Sequence, residues 1–285
     1  MNILPMVDIL ENAHKNNYAV GAFNINNMEF IQAFIQGAEE MDAPLILQVS
    51  ERVIPYIGMG YVSSMVKEAV KDTSIPVALH LDHGNKFESI IEAIRAGFSS
   101  VMIDGSEKNF KDNIEITKKV VEVAHSVGVS VEAELGTIGG TEDGHTVASK
   151  DAMYTDPDMA KEFVEKTGVD ALAVAIGTAH GVYKGKPELD FQRLAHIKKL
   201  LNMPIVLHGA SGVSSEDVQK AVKYGVNKVN VNTDFQQAFT QKIKEKFAED
   251  PEIYDVHSYT GPGRDAIVEK VKEKIKILGS DNKAW

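Results

Sequence analysis

Eight short apolar runs alternate with longer stretches of helical period along 285 residues. Most of these runs end on polar residues, and no GxGxxG motif follows the first of them. These observations predict an α/β protein, a (β/α)8 TIM barrel, in preference to an open doubly wound sheet. An extra N-terminal helix and a C-terminal helical extension are expected, with residues 1–285 forming one domain.

The elements follow in order. PMVDILENAHKNN is amphipathic and precedes the first run, so it reads as a helix plugging the bottom of the barrel. The expected strands are 19–25, 43–50, 77–83, 100–106, 130–136, 171–177, 204–210 and 228–233. They read as apolar on both faces, as parallel strands covered by helices do. Expected helices include MEFIQAFIQGAEEM, YVSSMVKEAVK, KFESIIEAIRAG, NIEITKKVVEVAHSVG, DMAKEFVEKTG, FQRLAHIKKLL and SEDVQKAVKYG, with GPGRDAIVEKVKEKI last. Asp156-Pro157 reads as an N-cap followed by a first-turn proline, and Ser214 with Asp217 as a capping box. Gly97, Gly128, Gly168 and Gly225 fall where helices stop. The 137–156 connection, of about 20 residues, is long enough to be a functional lid or a disordered segment.

Composition narrows the function. The chain is 44% hydrophobic and 25% charged, as soluble globular proteins are. No apolar run reaches the ~20 residues of a membrane span, and the N-terminus has no basic n-region. A cytoplasmic location is expected. The formal charge of -11 disfavours nucleic acid and anionic membrane as partners. With no cysteine present, a transition metal must be held by His, Asp or Glu.

The chemistry gathers at the strand ends, where barrels of this type build their active sites. The third strand ends in Asp82-His83, the fourth in Asp104-Gly105-Ser106, and the fifth carries Glu132 and Glu134. The sixth runs into Thr178-Ala179-His180-Gly181, the seventh ends in His208-Gly209-Ala210-Ser211-Gly212, and the eighth in Asn230-Val231-Asn232-Thr233. Of nine histidines, His83, His180 and His208 lie at strand ends with glycine next in sequence. Three imidazoles with one open position describe a catalytic zinc site. His80 reads as structural, and His14, His125 and His196 as helix surface or packing residues. His145 belongs to the expected lid. GASG (209–212) and NVNT (230–233) stand at the usual phosphate position of such barrels. No P-loop is present, and no lysine stands at a strand's C-terminal end to form a Schiff base.

At these residues the chain resembles the class II, metal-dependent ketose-bisphosphate aldolases. LDHG, SVMIDGS, VEAELG, HGVYKG, LHGASG and NVNTD occur in family order over nearly the whole chain. The resemblance implies zinc on His83, His180 and His208, with Asp104 and Glu134 as alternative ligands or supporting groups. It implies that Asp82 serves the carbon-4 oxygen and that Glu142 moves a proton at carbon 3. Asn24, Ser50, Gly181, Lys184, Gly209, Ser211, Asn230, Asn232 and Thr233 become substrate contacts. Most of these lie around the dihydroxyacetone phosphate portion. Gly181 and Ser211 are expected to help hold a monovalent cation, Na+ or K+, near that phosphate.

The implied reaction cleaves a ketose 1,6-bisphosphate to dihydroxyacetone phosphate and an aldehyde. Fructose 1,6-bisphosphate is the first candidate and tagatose 1,6-bisphosphate the second. The resemblance also implies a homodimer or homotetramer. One stretch departs from the family. In YDVHSYTGPGRD, before the expected last helix, His257 stands where an arginine for the distal phosphate is expected, and Val256 replaces a proline. Arg264, seven residues on, is the substitute candidate. A guanidinium fork suits phosphate better than an imidazole, so a ketose 1-phosphate with another distal group stays open. A barrel amidohydrolase would want an H-x-H pair in the first strand, which instead ends FNIN. A non-catalytic sugar-phosphate-binding protein would be expected to have lost a histidine of the triad or Asp82, and all four are present.

Overall fold

The computed structural model describes residues 3–142, 145–147, 153–181, 183, 185 and 187–285, without the side chains of 141, 142 and 145–147. Eight parallel strands close into a barrel. They are β1 (Val20–Asn24), β2 (Leu45–Ser50), β3 (Val77–Gly84), β4 (Ser100–Ile103), β5 (Ser130–Leu135), β8 (Ala171–Val174), β10 (Ile205–Leu207) and β11 (Val226–Val231). Closure is made by β1 on β11, with Val20 opposite Lys228 and Ala22 opposite Asn230.

The outer ring comprises α2 (Met28–Glu40), α3 (Ile54–Ile57), α4 (Met59–Ala69), α5 (Phe87–Ala96), α6 (Phe110–Ser126), α7 (Pro157–Thr167), α8 (Phe191–Leu201), α9 (Ser215–Lys223), α10 (Thr233–Glu249) and α11 (Val256–Leu278). Capping follows the sequence closely. Asp156 accepts from the N–H groups of Asp158 and Met159, and Ser214 accepts from Asp217. Gly97 and Gly168 end α5 and α7 in the left-handed region.

Helix α1 (Met6–Asn16) seals the N-terminal end of the barrel. Met6, Ile9, Leu10 and Ala13 pack on Val20, Ala22, Ile46, Ala78, Ala171, Ala173 and Val206, which line the lower interior. Leu4 N–H bonds the Val77 carbonyl at 2.8 Å, and Val7 N–H bonds Ser130 Oγ at 3.0 Å. The plug and the residues before it are therefore fixed to the strand starts by one backbone bond and one bond to a serine hydroxyl as well as by apolar contact.

Four expectations change. First, the 137–156 connection is not structureless. It holds β6 (Gly139–Glu142) and β7 (His145–Val147) as an antiparallel pair, and β6 adds in parallel to β9 (Ala179–His180). Second, the last helix begins at Val256, so His257 lies in its first turn and not in a preceding loop. Third, the eighth strand ends at Val231, and Thr233 opens α10, a helix missing from the expected series. Only Phe235 of α10 is buried, so little core-facing stripe marks it in the sequence. Fourth, the strands are not apolar on both faces. Successive side chains alternate, and the inward set of the upper barrel includes Asn24, Gln48, His80, Asp82, Glu132 and Lys228, all buried.

Candidate active site

The end of β3 shows how two adjacent residues reach one mouth. In a regular strand Asp82 and His83 would point to opposite faces. Here the β3–β4 register shifts between Leu81 and Gly84, and His83 adopts φ 49°. The bulge turns the His83 ring toward the barrel mouth, where Asp82 already points. A left-handed non-glycine residue costs on the order of 1–3 kcal/mol, which the surrounding packing must offset. Gly84 completes the turn. A Cβ there would lie 2.5 Å from the Met102 carbonyl oxygen.

Asp82 is fully buried and held by three amides. Asn230 Nδ2 donates to Oδ1 at 3.1 Å, while Gln48 Nε2 and Asn24 Nδ2 donate to Oδ2 at 3.2 and 3.3 Å. Gln48 also donates to Asn24 Oδ1 at 2.9 Å. Ser50 lies opposite Asp82 in the β2–β3 register. Gln48 was not among the expected site residues. Its signal was a lone amide in an apolar run, two places before Ser50 and so on the same face.

His83, His180 and His208 converge. Their ligand nitrogens lie within 4.8 Å of one another, and the same holds for His83, Asp104 and Glu134. Carboxylates orient two of the rings. His83 Nδ1 is 2.9 Å from Asp104 Oδ2, and His208 Nε2 is 3.0 Å from Glu132 Oε1. With those nitrogens donating, His83 Nε2 and His208 Nδ1 face each other as acceptors at 3.1 Å. Two acceptor nitrogens so close suit a shared cation. Glu134 Oε2, buried and without a hydrogen bond, borders the same space.

Electrostatics agree with that reading. Burial above all pushes His180 and His208 well below the usual histidine range, and a charge on His83 would push them further down. Burial, then Asp104, push Glu134 well above the carboxylate range. Burial would raise Asp104 too, but bonds to His83 and Ser106 outweigh it and hold Asp104 low.

Tyr183 ties two of the histidine segments together. Its hydroxyl accepts from Ala179 N–H at 2.7 Å and donates to the Gly209 carbonyl at 2.7 Å. With Gly181, Ser211, Gly212 and Thr233 it lines a cleft beside the mouth, at the N-terminus of α10. A helix N-terminus beside small residues suits a phosphate. Asn232 N–H bonds Ser211 Oγ at 3.4 Å, and the Asn232 side chain accepts from Asn26 at 3.2 Å. Lys184 lies outside the described residues. Glu142 closes β6, its side chain likewise outside them. Arg264 lies on α11 and bonds its neighbour Asp265 at 3.4 Å. Among the described residues it makes no hydrogen bond to the mouth.

Fold and site together define a (β/α)8 barrel whose mouth gathers three histidines and two carboxylates able to hold a metal ion, beside a cleft at a helix N-terminus. The family model described as fructose-bisphosphate aldolase class-II matches residues 4–283. The chain belongs to that family, and it is an aldolase, a carbon–carbon lyase. A fructose-bisphosphate aldolase of Staphylococcus epidermidis is 48% identical over 287 residues, covering 100% of both chains. One from Geobacillus stearothermophilus is 48% identical over 288 residues, covering 100% of this chain and 99% of its own. Among solved structures, the YdjI aldolase of Escherichia coli K12 is similar at a TM-score of 0.87 and 34% identity. That match covers 99% of this chain and 100% of the other.

Proposed function

We propose that the enzyme cleaves fructose 1,6-bisphosphate to dihydroxyacetone phosphate and glyceraldehyde 3-phosphate, reversibly. We assign His83, His180 and His208 as ligands of a divalent metal, zinc, with Asp104 and Glu134 as alternates. A bound zinc ion supplies Lewis-acid polarisation of the substrate ketone. The observation that carries the reading is Asp82, buried beside the histidine triad and aimed by three amides.

In cleavage, the Asp82 carboxylate takes the proton of the carbon-4 hydroxyl. The O–H electron pair becomes the new aldehyde C=O, and the C3–C4 pair moves toward the ketone. Glu142 supplies the proton that carbon 3 needs to yield dihydroxyacetone phosphate. In condensation Asp82 returns its proton to the aldehyde oxygen. Asn24 and Ser50 contact substrate hydroxyls. Gly181, Lys184, Gly209, Ser211, Asn230, Asn232 and Thr233 hold the triose phosphate, with Na+ or K+ beside it at Gly181 and Ser211. The β6–β7 hairpin, paired to β9 beside His180, is suited to exclude water from the reacting carbons.

A second reading, a ketose 1-phosphate substrate, is favoured by the distal half of the site. The His257 side chain is 94% exposed in the first turn of α11, and its imidazole offers a distal phosphate no guanidinium fork. Tagatose 1,6-bisphosphate differs only at carbon 4 and uses the same residues. An arginine of this chain nearer the mouth is Arg52. It is exposed in the loop after β2, its N–H on Ser50 Oγ at 3.4 Å.

The test is release of dihydroxyacetone phosphate from fructose 1,6-bisphosphate by chelator-stripped enzyme, with and without zinc. Zinc-dependent release supports the first reading. Folded, zinc-loaded enzyme that releases none rejects it in favour of another ketose phosphate. A homodimer or homotetramer is proposed as well, supported by exposed Phe247, Tyr254 and Val256 where α10 meets α11. A monomer in light scattering would remove it. No helix of the described residues is long and apolar enough to cross a membrane. We place the enzyme in the cytoplasm because charged sugar phosphates do not cross membranes unaided. Cell fractionation that found it elsewhere would overturn this.

A further inference from the structure

Beneath the metal site, the barrel interior holds an ion pair with no part in the proposed proton transfers. Lys228 Nζ lies 2.7 Å from Glu132 Oε2, and both side chains are fully buried. The other oxygen of Glu132 accepts from His208 Nε2 at 3.0 Å. A second imidazole stands close. His80 Nε2 is 3.7 Å from Glu132 Oε2 and has no hydrogen bond, while His80 Nδ1 meets Ser100 Oγ at 2.8 Å. Lys228 precedes Asn230 by two places on β11, so both side chains enter the barrel.

We propose that Lys228 and Glu132 act as a positioning pair that decides which ring nitrogen of His208 meets the metal. The proposal rests on His83, His180 and His208 being the metal ligands. A neutral imidazole carries one N–H. Glu132 claims it at Nε2, lying nearer at 3.0 Å than Asn230 Nδ2 at 3.2 Å, an amide that donates to Asp82 instead, and this leaves the Nδ1 lone pair toward His83. Glu132 can do so only while its other oxygen is held. Lys228 holds that oxygen. Without the ammonium, Glu132 would have an open oxygen beside His80 Nε2 and would be free to turn to it. His208 would then lose the bond that fixes its tautomer and its ring angle. A buried ion pair is a weak source of stability, because desolvation offsets much of the attraction. Orientation is the contribution that such a pair makes well.

The experiment measures zinc affinity by chelator competition, and the visible absorption of the Co2+-substituted protein. It compares wild type, Lys228→Met, Glu132→Gln/Lys228→Met and Glu132→Leu/Lys228→Met. Glutamine keeps an oxygen that accepts from His208 and needs no cation, whereas leucine offers none. Lys228→Met is expected to weaken zinc binding about 10–100-fold and to change the Co2+ band. The glutamine double variant should recover most of the affinity and the leucine one should not. A folded Lys228→Met protein that binds zinc as wild type does overturns the proposal. Equal affinity in the two doubles overturns it as well, and they decide the matter if the single variant does not fold. Wild type that binds no divalent metal would instead remove the histidine-triad reading, and this proposal with it.

Discussion

The two ends of the barrel are built from the same strands and obey different rules. At the lower end, Val20, Ala22, Ile46 and Ala78 meet α1 in an apolar layer. Its prominent charge, Lys198, has three acceptors: His14 Nδ1 at 2.8 Å, the Met203 carbonyl at 2.8 Å and Asn227 Oδ1 at 2.7 Å. At the upper end His83 takes a left-handed backbone, as Asn17 and Asn202 do at helix stops of the lower end, but without an asparagine's tolerance for it. Gln48 Oε1, Glu134 Oε2, Thr178 Oγ1 and Asn230 Oδ1 are buried at the upper end without hydrogen bonds. Buried polar groups are nearly always satisfied, so unpartnered atoms gathered at one end need a cause. A ligand binding at that end supplies it. The lower end is built for stability and the upper for binding and reaction.

That contrast breaks most sharply on Asp82. Asp82→Ala is expected to lower turnover by about 10²-fold or more while zinc content stays at the wild-type level. Steady-state rates and metal analysis of the same preparation check it. Turnover within a few-fold of wild type would end the proton-transfer role. Loss of zinc would show that the two halves of the mouth are one structural unit.

Leu10→Ala probes the opposite end. Leu10 is fully buried in the plug. Its truncation is expected to cost about 2–5 kcal/mol in denaturant unfolding. The kcat/KM of the folded enzyme should not change. A parallel fall in kcat/KM would mean that the plug positions the mouth through the interior, and the division between the ends would be wrong.

The lower end and the gathering of three histidines at the mouth were legible in the sequence. Strand number, the plug and the three histidines follow from periodicity and from polar strand ends. The supporting residues were harder to see. Gln48 is a lone amide in an apolar run, and although Glu132 and Lys228 are visible as charges in their strands, only barrel closure turns both to one interior and pairs them. Glu132 meets Lys228 across 96 positions of sequence. The bulge at His83 depends on where β4 pairs with β3, which no local pattern in LHLDHG records. His257 was read as standing before the last helix, because glycine and proline at 261–263 look like a helix start. The structure runs α11 through them, with Pro262 inside.

The smallest effect expected is a pH slope at the lower end. Burial pushes Lys198 down to about 8, from the ordinary lysine value of 10.5. Its neighbour His14 is also lowered, by burial and then by Lys198, with Glu11 opposing and Lys15 adding to the shift. Between pH 8 and 10.5 the unfolded chain therefore binds a proton at Lys198 that the folded chain has released. Stability contributed at this site rises with pH across that window, and below it the burial cost stands in full. Lys198→Met removes the group from both states. Unfolding free energies of wild type and variant, measured across the window, should differ in slope by up to one proton. The wild-type slope should be the more positive. Parallel curves would mean that the three acceptors hold Lys198 charged despite its burial, and the lower end would then be as fully compensated as its hydrogen bonds suggest.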